Sequence, residues 1–175
     1  MRFLILAFAC LAAAALTGCS HPAASTQGQT SNPTLTVAQQ FAQLQTEGKL
    51  PTLDVSSTVT GTVTNGNGIR DDLNNYIASL TDSAVQKNAL IQVTQAIQAA
   101  MTVVTTYAAA VATVSLNLNR ADTCVWSVYS SGQSTKVMVM EELSVNTLNR
   151  LEAYEQYNAA GDGAVVPSLT GNTCN

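Results

Sequence analysis

Charge is scarce in this chain: Asp, Glu, Lys and Arg make up 10% of its 175 residues, against roughly a quarter in most proteins. Seven cations and eleven acids, nowhere clustered, leave a net charge of −4. Such a balance argues against nucleic acid as a partner and against electrostatic docking on an anionic membrane. Histidine occurs once, as His21, in a small and polar stretch near the N-terminus. A Ser-His-Asp arrangement inside the fold is therefore excluded, and a transition-metal centre lacks its usual ligands. Beyond the first twenty residues the longest unbroken apolar run is Tyr107 to Ala112, too short to cross a membrane. Thr, Ser, Asn and Gln supply the polarity that charge does not.

The chain opens MRFLILAFACLAAAALTGCS. One positive charge, Arg2, precedes an apolar run from Phe3 to Leu16, with small residues after it, the layout of a secretory signal peptide. Leu16-Thr17-Gly18-Cys19 resembles the lipobox of bacterial lipoproteins. The resemblance covers the N-terminus alone. It implies cleavage before Cys19, a diacylglyceryl group on its thiol and acylation of the new amine. Each buried methylene contributes about 0.8 kcal/mol, and three chains exceed what stable anchoring requires. Ser20, where inner-membrane retention would favour Asp, implies the outer membrane. The predicted organisation is a signal peptide over 1–18, lipidated Cys19 and a flexible tether over 19–33, and one α-helical domain over 34–175.

Of four cysteines, Cys10 leaves with the signal and Cys19 carries lipid. Cys124 and Cys174 remain, in a compartment where disulfides persist, with no histidine near either. Their pairing is expected. It closes a loop of about 50 residues, worth on the order of 4 kcal/mol in the chain-entropy model.

The pattern along the rest of the chain is helical. Thr36 would cap a first helix ended by Gly48. KLPTLDVSSTVTGTVTNGNG reads as an extended, looping connection. Leu73, Tyr76, Ile77 and Leu80 then form an apolar stripe, with Asp71 and Asp72 at its N-terminal end as caps. From Leu90 to Leu118 helical spacing persists, predicting one long central helix that ends or bends near Asn117–Arg120. A last helix is expected from about Ser134 to Ala160, with Met140, Leu143, Thr147, Leu148, Leu151 and Tyr154 inward. Together these predict an all-α bundle of about four helices.

Residues 64–72, TNGNGIRDD, resemble an EF-hand loop and the D-x-D-x-N-G-I-x-D-D loops of dockerin and thrombospondin-like modules. With Gly68 in the sixth position, Asn65, Asn67 and Asp71 fall at the third, fifth and ninth, and Asp72 follows. The loop departs from that pattern at both ends. Val63 replaces the leading aspartate and Asn74 the bidentate acid, so little negative charge remains to offset dehydration of the ion. Calcium binding at millimolar concentration and a plain Asn-Gly turn before a helix are the two readings.

The function expected is that of a cell-envelope lipoprotein, facing the periplasm, with a binding, adaptor or structural role and no catalysis. Its partners would be the membrane, through the anchor, and an envelope protein; no cofactor is expected. A calcium-stabilised module using residues 63–74 is the alternative. A hydrolase built on carboxylates such as Glu141, Glu142, Glu152 or Glu155 is a third. Trp126, Tyr129, Tyr154 and Tyr157 would line either a groove or the core.

Overall fold

The helical periodicity is realised as six α-helices in the computed structural model, which describes residues 37–48 and 50–175. The signal segment, Cys19 and the tether lie outside the described residues. The helices are α1 (Val37–Thr46), α2 (Asp71–Ser79), α3 (Ala84–Thr102), α4 (Ala108–Val128), α5 (Gln133–Ser144) and α6 (Leu148–Gly161). Among the described residues there is no strand, and no helix is long and apolar enough to cross a membrane.

Helix α3 is the axis of the bundle, packing against α2, α4, α5 and α6. Its start is sharply defined. The Ser83 hydroxyl accepts the Gln86 N–H while the Gln86 side chain accepts the Ser83 N–H, a complete capping box. Leu90, Val93, Ile97 and Met101 are buried along it, each contributing roughly 1.5–3 kcal/mol relative to exposure. Leu73 and Ile77 bury the predicted stripe of α2.

Two predicted helices are each divided in two. The long central helix stops at Thr102 and α4 begins at Ala108. Thr102 to Thr106 are five β-branched residues in succession, whose restricted side chains weaken a helix at the surface. The break lets α4 pack back against α3. Helix α4 then continues through Asn117–Arg120 to Val128, without the expected end there. The final helix is interrupted at Val145–Thr147, and the register of its buried face changes. Leu148 and Leu151 are exposed, while Arg150, Tyr154 and Tyr157 are buried.

The Cys124 and Cys174 sulfurs lie 2.05 Å apart, at disulfide bonding distance. The C-terminal segment after α6, which has no regular structure, is thereby held against α4. Gln92 of α3 also grips it, donating to the Thr173 carbonyl and accepting the Asn175 N–H, both at 2.9 Å.

Candidate functional site

Arg70 and Arg150 are both 0% exposed, an unusual fate for arginine in a chain with seven cations. Arg70 stands at the start of α2 and Arg150 in the first turn of α6. Arg70 Nη1 donates to the Ser144 carbonyl (2.8 Å) and Nη2 to the Leu143 carbonyl (3.0 Å). These are among the last carbonyls of α5, which have no partner within their own helix. A guanidinium there satisfies them and complements the negative end of the helix dipole. This contact occupies the end that the break between α5 and α6 leaves open, and Thr147 caps the start of α6 on the other side of it.

The same two arginines fasten the irregular segment 50–70. Arg70 makes a two-pronged pair with Asp72, Nε to Oδ1 at 3.0 Å and Nη2 to Oδ2 at 2.8 Å. Arg150 donates to the Asp54 carbonyl, to Asp54 Oδ1 (3.3 Å), to Ser56 Oγ and to the Val59 carbonyl. Asn146 joins the two: its Oδ1 accepts from Arg70 Nη1 (3.0 Å) and Arg150 Nη1 (2.8 Å), and its Nδ2 donates to the Asp54 carbonyl. Gly61, at φ +62°, lies directly over the pair. A Cβ there would meet Arg70 Cδ at 2.5 Å and Arg150 Nη2 at 2.9 Å, so glycine is required by space as well as by backbone.

Electrostatics follow the geometry. Hydrogen bonds from Ser56, and then from Thr62, hold the Asp54 carboxyl well below its ordinary range against the opposing effect of burial. For Asp72 burial is the largest influence and pushes upward, but the Arg70 hydrogen bonds and charge and the Asp54 N–H together outweigh it. Burial, and then the Arg70 charge, lower Arg150 against the pull of Asp54 and Asp72.

The predicted calcium residues are only partly brought together. Asn65 Oδ1 accepts the Asn67 N–H and Asn67 Oδ1 accepts the Ile69 N–H, so each carboxamide forms a local turn. Asn67 and Asn74, the fifth and twelfth loop positions, do meet, Nδ2 of Asn67 donating to Oδ1 of Asn74 at 3.0 Å. Asp71 accepts the N–H (3.0 Å) and hydroxyl (2.8 Å) of Thr64. Asp72 turns away to Arg70. Neither aspartate makes the cap expected of it, because α2 has no side-chain cap. No cluster of three or more His, Cys, Asp or Glu side chains suited to a metal occurs among the described residues.

Between segment 50–70 and α2 lies an open groove of about 670 Å³, with Asp54, Asp71, Asp72 and Tyr76 in its walls. Each of its carboxylates is already engaged as described. A second titratable centre lies among α4, α5 and α6. There burial, reinforced by the Glu141 charge, pushes the Asp122 carboxyl up to about 6, and its Oδ1 is buried without a hydrogen-bond partner. Tyr154 is raised by burial and by that same charge. Of the four aromatics considered above, Tyr129, Tyr154 and Tyr157 are core, and Trp126 is 56% exposed.

Sequence reasoning missed the arginine network and Asp122. The available signal was an arginine beside two aspartates, Arg70-Asp71-Asp72, in a chain with so few charges. Family models, curated proteins and solved structures yield no match to this chain, so the site stands on its own geometry.

Proposed function

We propose that this chain is a lipid-anchored protein of the bacterial cell envelope, held at Cys19 in the outer membrane and facing the periplasm. Its role there is non-catalytic: an adaptor or structural binding module. The observation that carries the non-catalytic part is the inward direction of its charged chemistry. Arg70, Arg150, Asp54 and Asp72 are spent on fixing segment 50–70 to the bundle. That segment is consequently a fixed wall beside the groove, the kind of preorganised surface that loses little entropy on binding.

The anchor is tested by metabolic labelling with palmitate and by fractionation of envelopes. The native chain takes up label and sediments with outer membranes, whereas Cys19→Ala does neither. Label retained by that variant would refute the anchor. The calcium reading is favoured by one observation, the meeting of Asn67 and Asn74. Its test is a thermal melt in EDTA and in millimolar calcium. A ligand at a hundred times its Kd adds about 2.7 kcal/mol, so a rise abolished by Asp71→Asn would establish it. The hydrolase reading rests on the Asp122–Glu141 pair. Hydrolysis of an envelope glycan by the native chain, lost in Asp122→Asn with its fold intact, would favour that reading.

A further inference from the structure

In the large groove beside α2 every carboxylate has a partner within the protein. A smaller cavity of about 280 Å³, between α4, the end of α6 and the tail, has one that does not. Asp122 stands in its wall, with Ser115, Asn119, Tyr157 and Asn158 around it. Its two oxygens differ. Oδ1 is sealed in the protein and has no hydrogen-bond partner. Oδ2 has no partner either, but it is not sealed, and by it Asp122 reaches the cavity.

The charge is uncompensated as well. Glu141 of α5 adds to it, Tyr154 and Tyr157 of α6 bring no positive charge, and among the described residues no Lys or Arg lines the cavity. Burial and the Glu141 charge push the Asp122 carboxyl up to about 6. At pH 7 the group is therefore ionised at a cost, which a cation in the cavity removes. Glu141 itself does not line the cavity, so a divalent metal would find a single carboxylate there.

The neutral groups are biased toward accepting. Asn119 Nδ2 donates to the Pro167 carbonyl at 2.9 Å, which assigns Oδ1 as the end left to accept. The Ser115 and Tyr157 hydroxyls, 2.9 Å apart, spend one of their two hydrogens on each other. An ammonium group is the complement of such a wall, with three N–H donors, no acceptor and one positive charge. Leu118 and Val166 leave one side of the cavity apolar.

We propose that this cavity binds a small primary amine, with its ammonium group on Asp122 Oδ2 and a short hydrocarbon chain against Leu118 and Val166. The volume lies below the roughly 300 Å³ at which pockets for drug-sized ligands begin, which keeps the ligand small. The inference gives the binding role proposed above a ligand class. It rests on that reading only in treating Asp122 as a binding group and not as an acid in hydrolysis.

The test uses the full chain carrying Cys19→Ala, labelled with ¹³C and ¹⁵N, in detergent, titrated with n-butylammonium chloride. n-Butanol is the control for shape and potassium chloride the control for charge. Saturable shifts are expected at the Asn119 and Asn158 side-chain amides, with a Kd on the order of 1 mM. The titration midpoint of the Asp122 carboxyl should fall below about 6 when the amine is bound, and binding should be about tenfold weaker at pH 5 than at pH 7.5. Asp122→Asn should abolish the saturable shifts. The midpoint and the two controls are read with Asp122 in place, so they decide the matter even if that variant fails to fold. The proposal is overturned by the absence of a saturable shift, by an equal response to butanol or to potassium chloride, or by an affinity that does not change between pH 7.5 and 5. Tighter binding of acetyl-lysine-methylamide than of butylammonium would also overturn it, by handing the site to a lysine of a partner protein. None of these outcomes depends on where Cys19 places the protein, or on the glycan assay that tests hydrolysis.

Discussion

Two long segments without regular structure lie on this bundle, and they are fastened by opposite means. Segment 50–70 is held by two fully buried arginines: Arg150 of α6 reaches its Asp54 and Val59 carbonyls and the Asp54 carboxylate, while Arg70, at its own end, reaches Asp72 and the last carbonyls of α5, and Asn146 bridges the two. Segment 162–175 is held at its far end by one covalent bond, with Gln92 and Asn119 adding hydrogen bonds along its length. The first fastening is distributed and polar, so every part depends on the others. The second is local, with only Thr173 and Cys174 of the segment packed into the bundle. An irregular chain can thus be ordered either by answering its backbone groups inside the protein or by restricting where its end can go.

Substitution of Arg150 is the most severe way to break this comparison. Arg150→Met takes the cation from Asp54 and one donor each from the Asp54 and Val59 carbonyls, and loss of one partner in a buried pair typically costs about 3–5 kcal/mol. Urea unfolding should show that loss, and limited proteolysis should then cut within residues 50–70 and not within the tail. Removal of the disulfide by Cys174→Ser should cost less, about 2–4 kcal/mol. Hydrogen exchange in that variant should rise over residues 162–175 while α3 and segment 50–70 keep their protection. Equal loosening of both segments would show that they are one cooperative unit.

Two glycines sharpen the contrast further. Gly61 and Gly171 both have positive φ, but a Cβ at Gly171 meets nothing within 4 Å whereas one at Gly61 strikes both arginines. Gly61→Ala should cost about 2–3 kcal/mol and Gly171→Ala about 1 kcal/mol, both read from denaturation midpoints. The difference between them measures how tightly the loop is seated.

Acidity separates the two regions by sign. Asp54 and Asp72, at the loop, and Asp82, paired with Lys136 and Tyr129, all titrate below the ordinary value of 3.8. Their stabilisation is present above that pH and lost as pH falls through their folded-state values. Asp122, in a cavity also lined by Val166 of the tail, is raised to about 6. Glu141 from α5 and Tyr154 and Tyr157 from α6 face this region, and none offers it a positive charge. A raised carboxyl penalises the fold above about 6, and that penalty disappears as pH falls toward 3.8. Melting temperature should therefore rise modestly from pH 7.5 to 5 and fall at lower pH. Asp122→Asn should flatten the first limb and leave the second.

The sequence made the helical class legible because Leu73/Ile77 and Leu90/Val93/Ile97/Met101 repeat at the helical period. It also singled out Cys124 and Cys174, since the other two cysteines lie in the N-terminal stretch that resembles a signal peptide and lipobox. The division at 102–106 was written in five β-branched residues and was overridden by the apolar periodicity on either side. The division at 145–147 has a local mark that the apolar periodicity hid: Thr147 caps α6, its hydroxyl accepting the Arg150 N–H. Arg70, more than seventy residues away in the chain, takes up the carbonyls at the end of α5. The aspartates of TNGNGIRDD do not converge as their spacing suggests because each has a partner within the motif, Asp71 in Thr64 and Asp72 in Arg70.

The arginine clasp also bears on how the chain folds. Its bonds join residues separated by 91 to 96 positions through Arg150 and by 73 to 76 through Arg70. Closing such distant contacts is slow compared with forming α3 and its neighbours, so the clasp belongs to the last steps of folding. Interactions that form after the transition state act on the rate of opening. The clasp therefore sets the lifetime of the folded domain more than the speed with which it is reached.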